Sequence, residues 1–113
     1  MHELGITQNI VAIAAEYAKG VPVKRVTLEV GKLTAILPDA IHFCFDVCCQ
    51  GTLLEGARLD IIEKPGLARC KQCGNQVALE FPFGVCACGC QDLEILQGEE
   101  LMIKELETED VCV

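Results

Sequence analysis

Cys70-Lys71-Gln72-Cys73-Gly74 and, with twelve residues between the knuckles' inner cysteines, Cys86-Ala87-Cys88-Gly89-Cys90 decide how this chain is built. Two thiols in a C-x2-C turn can bite one metal ion, because the tight turn brings both sulfurs and nearby backbone N–H groups together. A second thiol knuckle a dozen residues on supplies the other two ligands of a tetrahedral, all-thiolate site, which is the preference of structural Zn(II). Neither knuckle is specific alone; the pair is. A redox C-x2-C would sit at a strand–helix junction, and no helix pattern follows Cys73. The same thiols would also suit an iron–sulfur cluster, so zinc is the favoured ion among several. Cys70, Cys73, Cys86 and Cys88 are the expected ligands. Cys88 is favoured because Gly89 follows it as Gly74 follows Cys73, and Cys90 is held as a reserve ligand.

Around the knuckles, residues 65–92 carry few large apolar side chains: Leu67, Val77, Leu79, Phe81, Phe83 and Val85. Such a segment cannot hold itself together by burial alone, so metal binding would supply its folding free energy. On either side the pattern is that of an α/β layer. Ile6, Ile10, Ile13, Ala14 and Tyr17 recur at helical spacing over residues 4–18, and Gly20 and Pro22 end the helix. Val26, Leu28 and Val30 alternate with Arg25, Thr27 and Glu29, which marks a half-buried strand. Pro38 opens a second helix that runs through Ile41, Cys44, Phe45 and Cys48 to Gly51. A strand at Ala57–Glu63 and a closing strand pair, or one bent strand, at Leu93–Leu96 and Leu101–Leu106 complete it. The expected architecture is α+β: a small three-stranded sheet with two helices, residues 1–64 and 93–113, and an inserted zinc-ribbon-like lobe, residues 65–92.

The chain has 113 residues, 51% of them apolar, and a formal net charge of −8. The acidic balance argues against nucleic acid and anionic membranes as partners. No apolar run is long enough to span a bilayer, and the start lacks the basic region of a signal peptide. The cytoplasm is therefore the expected compartment. Nine cysteines without an export signal point to metal ligands and buried thiols rather than a disulfide framework. Most of the negative charge falls in residues 93–113, where Lys104 is the lone base. A solvated strand face explains that run, and a docking edge for a basic partner is the functional alternative.

The remaining thiols read as structural. Cys44 and Cys48 lie one turn apart on the apolar face of the second helix, Cys49 nearer its polar face, and Cys112 in the acidic tail. His42 pairs with Asp46 at i, i+4 as a surface pair. His2 is different. A chain-terminal amine, an adjacent peptide nitrogen and an imidazole at position two can chelate one ion, and deprotonated amides favour the square-planar geometry that selects Ni(II) or Cu(II) over Zn(II).

Met1-His2-Glu3, the strand Val26-Thr27-Leu28-Glu29-Val30-Gly31, Phe43-Cys44-Phe45, the paired knuckles and Gly98-Glu99-Glu100-Leu101 together resemble the HypA family of nickel metallochaperones. The resemblance covers nearly the whole chain, although the family's second knuckle is C-x2-C, whereas here Cys86 can pair with Cys88 at a shorter spacing or with Cys90 at a longer one. It implies a nickel lobe and a zinc lobe with four cysteines. It also implies a non-enzymatic role in delivering Ni(II) to the nickel–iron hydrogenase large-subunit precursor with a HypB-type GTPase, and in some members service to urease and its accessory proteins. The nickel site it implies is the His2 side chain with main-chain nitrogens of Met1, His2 and Glu3. The zinc site falls on Cys70, Cys73 and the second knuckle. A zinc-ribbon adaptor that binds a protein partner and no nickel is the alternative; it would be indifferent to His2. No phosphate loop, nucleophile elbow or bracketed carboxylate pair suggests an enzyme.

Overall fold

The computed structural model describes residues 3–109. In chain order the elements are α1 (Glu3–Ala18), β1 (Val23–Gly31), a 3-10 turn (Lys32–Thr34), α2 (Pro38–Cys49), β2 (Arg58–Lys64), β3 (Gly66–Cys70), β4 (Gln76–Leu79), β5 (Leu93–Gln97) and β6 (Leu101–Thr108). The strands make two three-stranded sheets, ordered β2-β1-β6 and β4-β3-β5. The fold is α+β, as the alternation of patterns predicts.

Two compact units divide the chain. One takes the chain up to Glu29, Ile36–Ile62 and everything from Met102; the other takes Val30–Ala35 and Glu63–Leu101. In the first unit α1 packs on α2. Its core is Ile6, Ile10, Val11 and Ala14 of α1, Ile41, Phe45 and Cys49 of α2, and Val23, Val26 and Leu28 of β1. Burying a side chain the size of Phe45 contributes about 1.5–3 kcal/mol. Pro38 occupies the first turn of α2, where its missing N–H is not needed.

Both helices are rotated from the expected phase. Ile13 and Tyr17 of α1 are exposed, at 46% and 70%. The buried stripe instead takes Thr7, Val11 and Ala18 beside Ile6, Ile10 and Ala14. On α2, Cys49 is the buried thiol, continuing the i, i+4 row Ile41–Phe45–Cys49, while Cys44 and Cys48 are half-buried. The stripe has the expected period at a different angle, because the buried side of α1 is set by tertiary packing, α2 among its partners, rather than by side-chain size.

The second unit corrects one strand. Leu93–Gln97, expected in the closing pair of the helix-bearing sheet, pairs antiparallel with β3. Its register sets Cys70 opposite Leu93 and Arg69 opposite Glu94, and β3 also pairs antiparallel with β4. Leu33, Ala68 and Leu79 form this unit's small core, flanked by Val77, Leu93 and Ile95. At its base the backbone of Gly31 meets that of Gly98. The Gly31 N–H donates to the Glu100 carbonyl at 2.7 Å and the Leu33 N–H to the Gly98 carbonyl at 2.8 Å. A Cβ on Gly31 would run into the Gly98 carbonyl, so only glycine permits this approach.

Candidate metal centre

The centre is assembled by the second sheet. Strand β3 ends on Cys70, and β5 begins just after the second knuckle, so their pairing sets the two knuckles side by side. The Lys71 N–H donates to the Asp92 carbonyl at 3.1 Å and extends that pairing into the loops.

Each knuckle is a backbone turn. In the first, the Gly74 N–H donates to the Cys70 carbonyl at 2.9 Å; in the second, the Gly89 N–H donates to the Cys86 carbonyl at 2.8 Å. The second turn is one residue tighter, which is how C-x-C does the work of C-x2-C. Both turns leave through a left-handed glycine, Gly74 at φ +79° and Gly89 at φ +91°. A side chain at either position would strain the backbone.

The result is a group of four thiols. Cys70, Cys73, Cys86 and Cys88 place their sulfurs all within 4.8 Å of one another. Cys70 Sγ is 3.6 Å from Cys88 Sγ and Cys73 Sγ is 3.5 Å from Cys86 Sγ. A tetrahedron of sulfurs at the Zn–S bond length has edges of about 3.8 Å, so the cage fits a zinc-sized ion. Cys70 and Cys86 are buried; Cys73 and Cys88 face solvent. Cys90 stands outside the group. Its sulfur accepts the Asp92 N–H at 3.3 Å.

The electrostatics favour a cation. The Cys73 N–H donates to Cys70 Sγ at 3.4 Å, and this backbone donor is the main reason the Cys70 thiol is held down to about 6. At Cys88 the Cys90 backbone pulls the thiol down, but the neighbouring Cys70 and Cys86 sulfurs outweigh it and push it up to about 12. At Cys73 the Asn75 backbone lowers and the Cys86 sulfur raises, with a net rise. Four sulfurs this close cannot all ionise without a positive charge among them. A divalent cation supplies it and removes the conflict.

The nickel ligands expected from sequence divide. Met1 and His2 lie outside the described residues. Glu3 opens α1, so its backbone N–H belongs to the first turn, whose donors have no partner carbonyl within the helix. His42 is exposed on α2. Among the described residues no helix is long and apolar enough to cross a membrane.

One charged site was not foreseen. Arg25, at the centre of the first sheet, reaches Glu107 at 3.1 Å, Asp60 at 3.6 Å and Glu105 at 3.7 Å. Part of the acidic run at the chain's end is therefore tied to a base from β1 rather than left to solvent. The alternation places Arg25 on the polar face, but not opposite a carboxylate, that of Glu107, 82 residues away.

Comparison with known proteins agrees with this chemistry. The family profile described as "HypA: Hydrogenase/urease nickel incorporation, metallochaperone, hypA" matches residues 1–108. The chain is 67% identical over 113 residues to the hydrogenase maturation factor HypA of Trichormus variabilis, covering all of both chains. It is 48% identical over 110 residues to that of Geobacter metallireducens, covering 96% of this chain and all of the relative. Among solved structures, the nickel metallochaperone HypA from Helicobacter pylori superposes with a TM-score of 0.68 at 25% identity, covering 96% of this chain and 97% of that one.

Proposed function

Because the chain belongs to the HypA family of nickel-incorporation metallochaperones, we propose that it binds Ni(II) at its N-terminus and hands it to a hydrogenase large-subunit precursor. Its role is carriage, not catalysis. The observation that carries this reading is the full-length match to hydrogenase maturation factors together with the four-thiol cage. The division of labour follows the two units: nickel at the end of α1, and zinc among Cys70, Cys73, Cys86 and Cys88. Zinc there is structural, because four thiolates leave no open coordination position.

The nickel ligands are the Met1 amine, the His2 imidazole and main-chain nitrogens of His2 and Glu3. Such a site excludes zinc by geometry and depends on one side chain, so it can be opened for transfer. A HypB-type GTPase is the partner in delivery, and urease maturation is a second destination. The work takes place in the cytoplasm, where free thiols stay reduced.

Calorimetry at fixed pH tests the reading. His2→Ala should abolish tight nickel binding and leave zinc content unchanged. Equal nickel affinity in both proteins would sink the delivery reading and favour a zinc-ribbon adaptor.

A further inference from the structure

Helix α2 carries three thiols that neither the zinc cage nor the proposed nickel site uses: Cys44, Cys48 and Cys49. Cys49 closes the buried row Ile41–Phe45–Cys49 and is out of reach of solvent. Cys44 and Cys48 are half-buried on the neighbouring row, one helical turn apart. Side chains at that i, i+4 spacing stand one above the other, with about 5–6 Å between their Cβ atoms. The two thiols sense each other: burial first, and then the Cys44 charge, push the Cys48 thiol up.

The spacing sets what the pair can hold. Two sulfurs on opposite sides of one ion stand about 4.6 Å apart, twice a metal–sulfur bond of zinc length. Thiols on this row reach that separation by leaning slightly towards each other. Among the described residues no third histidine, cysteine or carboxylate gathers with them. Two ligands are too few for zinc, which takes four in a structural site. They suit a soft cation that is content with two, and thiolates select Cu(I) for that role. Phe43 and Val47, 82% and 60% exposed on the adjoining row, give the pair an apolar rim of the kind that limits water at a metal.

We propose that Cys44 and Cys48 form a second metal site, a two-thiolate clasp for Cu(I) distinct from the zinc cage. Binding is coordination without redox. Each sulfur gives its proton to solvent and a lone pair to the ion, and copper stays monovalent. In a chain whose cage offers four thiols, such a clasp takes up a thiophilic ion before that ion displaces zinc. The proposal stands apart from the nickel reading.

The test is an anaerobic titration of the full-length, zinc-loaded chain with Cu(I) held by a chromogenic chelator, released zinc being followed in parallel. The first equivalent should bind without zinc release, and X-ray absorption should show it with two sulfur neighbours. Cys44→Ser and Cys48→Ser should each weaken that binding more than about a hundredfold, beyond what losing even an outer-shell partner costs. Circular dichroism should show their helix content unchanged. Cys90→Ser, outside the pair, should keep the binding. So should His2→Ala, because a planar amide site suits divalent ions. Copper with three or four sulfur neighbours, or zinc released from the first addition, would place the ion in the cage and overturn the proposal. Equal copper affinity in wild type and Cys48→Ser would overturn it as well. If a serine costs helix, X-ray absorption of the wild-type chain still decides between clasp and cage.

Discussion

The Cys73 sulfur lies 3.5 Å from the Cys86 sulfur, 13 positions away along the chain, closer than the knuckle turns alone would enforce. The second sheet holds that distance, and a bound ion would justify it. The purified chain should therefore carry about one zinc, as a single four-ligand site requires. Cys73→Ala or Cys70→Ala should lose it and expose the 65–92 segment to protease. Cys90→Ser should keep full zinc, since its sulfur is occupied with Asp92, whereas Cys88→Ser should not. Metal analysis of the purified variants decides each case.

Gly89 and Gly74 leave their knuckles in the left-handed region. An alanine at either position should cost about 1–2 kcal/mol, seen as roughly tenfold weaker zinc in chelator competition. Gly84→Ala is a different kind of change: its Cβ would crowd only the far end of the Leu79 side chain, with Leu93 at ordinary contact distance, so zinc affinity should change little there.

Burial, with the Cys48 thiol and the Asp46 carboxylate adding to it, pushes the Cys49 thiol up to about 12 from an ordinary 9.0. The folded chain thus holds this proton where the unfolded chain has lost it. Stability from this group is complete below pH 9 and falls as pH rises from about 9 towards 12. Chemical denaturation at pH 8 and pH 10.5 should show that fall, and Cys49→Ala should flatten it. Alkylation at pH 8, read by mass spectrometry of peptides, should leave Cys49 unmodified in the folded chain.

Arg25 serves three carboxylates, each about one-third exposed. Arg25→Met should destabilise the chain by about 1 kcal/mol at low salt, a partly exposed network being worth little more. The deficit should shrink as salt is added, because screening weakens the repulsion left among Asp60, Glu105 and Glu107. A deficit independent of salt would assign the loss to packing of the arginine stem.

Much of the centre was legible because its signals are local. A thiol pair two residues apart, followed by glycine, makes the same turn wherever the chain goes, so Cys70, Cys73 and the second knuckle could be named. The alternation in β1 is equally local, and Val26, Leu28 and Val30 are buried as it predicts. Helix phase was harder. Ile13 is as apolar as Ile10, and nothing within α1 says which side is buried.

What the sequence determined by itself is therefore the set of elements and the chemistry they bring: two helices, alternating strands, and enough thiols at turn spacing to cage a soft-ligand metal. The tertiary structure alone decided which distant groups meet. It placed β5 beside β3 rather than in the first sheet, because closing the two knuckles demands a strand on each side of them. It put Cys88 in the cage and turned Cys90 to Asp92, because a one-residue-tighter turn aims only one of them inward. It brought Arg25 to Glu107 across 82 residues. Periodicity reports the angle of a side chain about its own strand or helix, while the partner across the gap depends on the path of all the chain between.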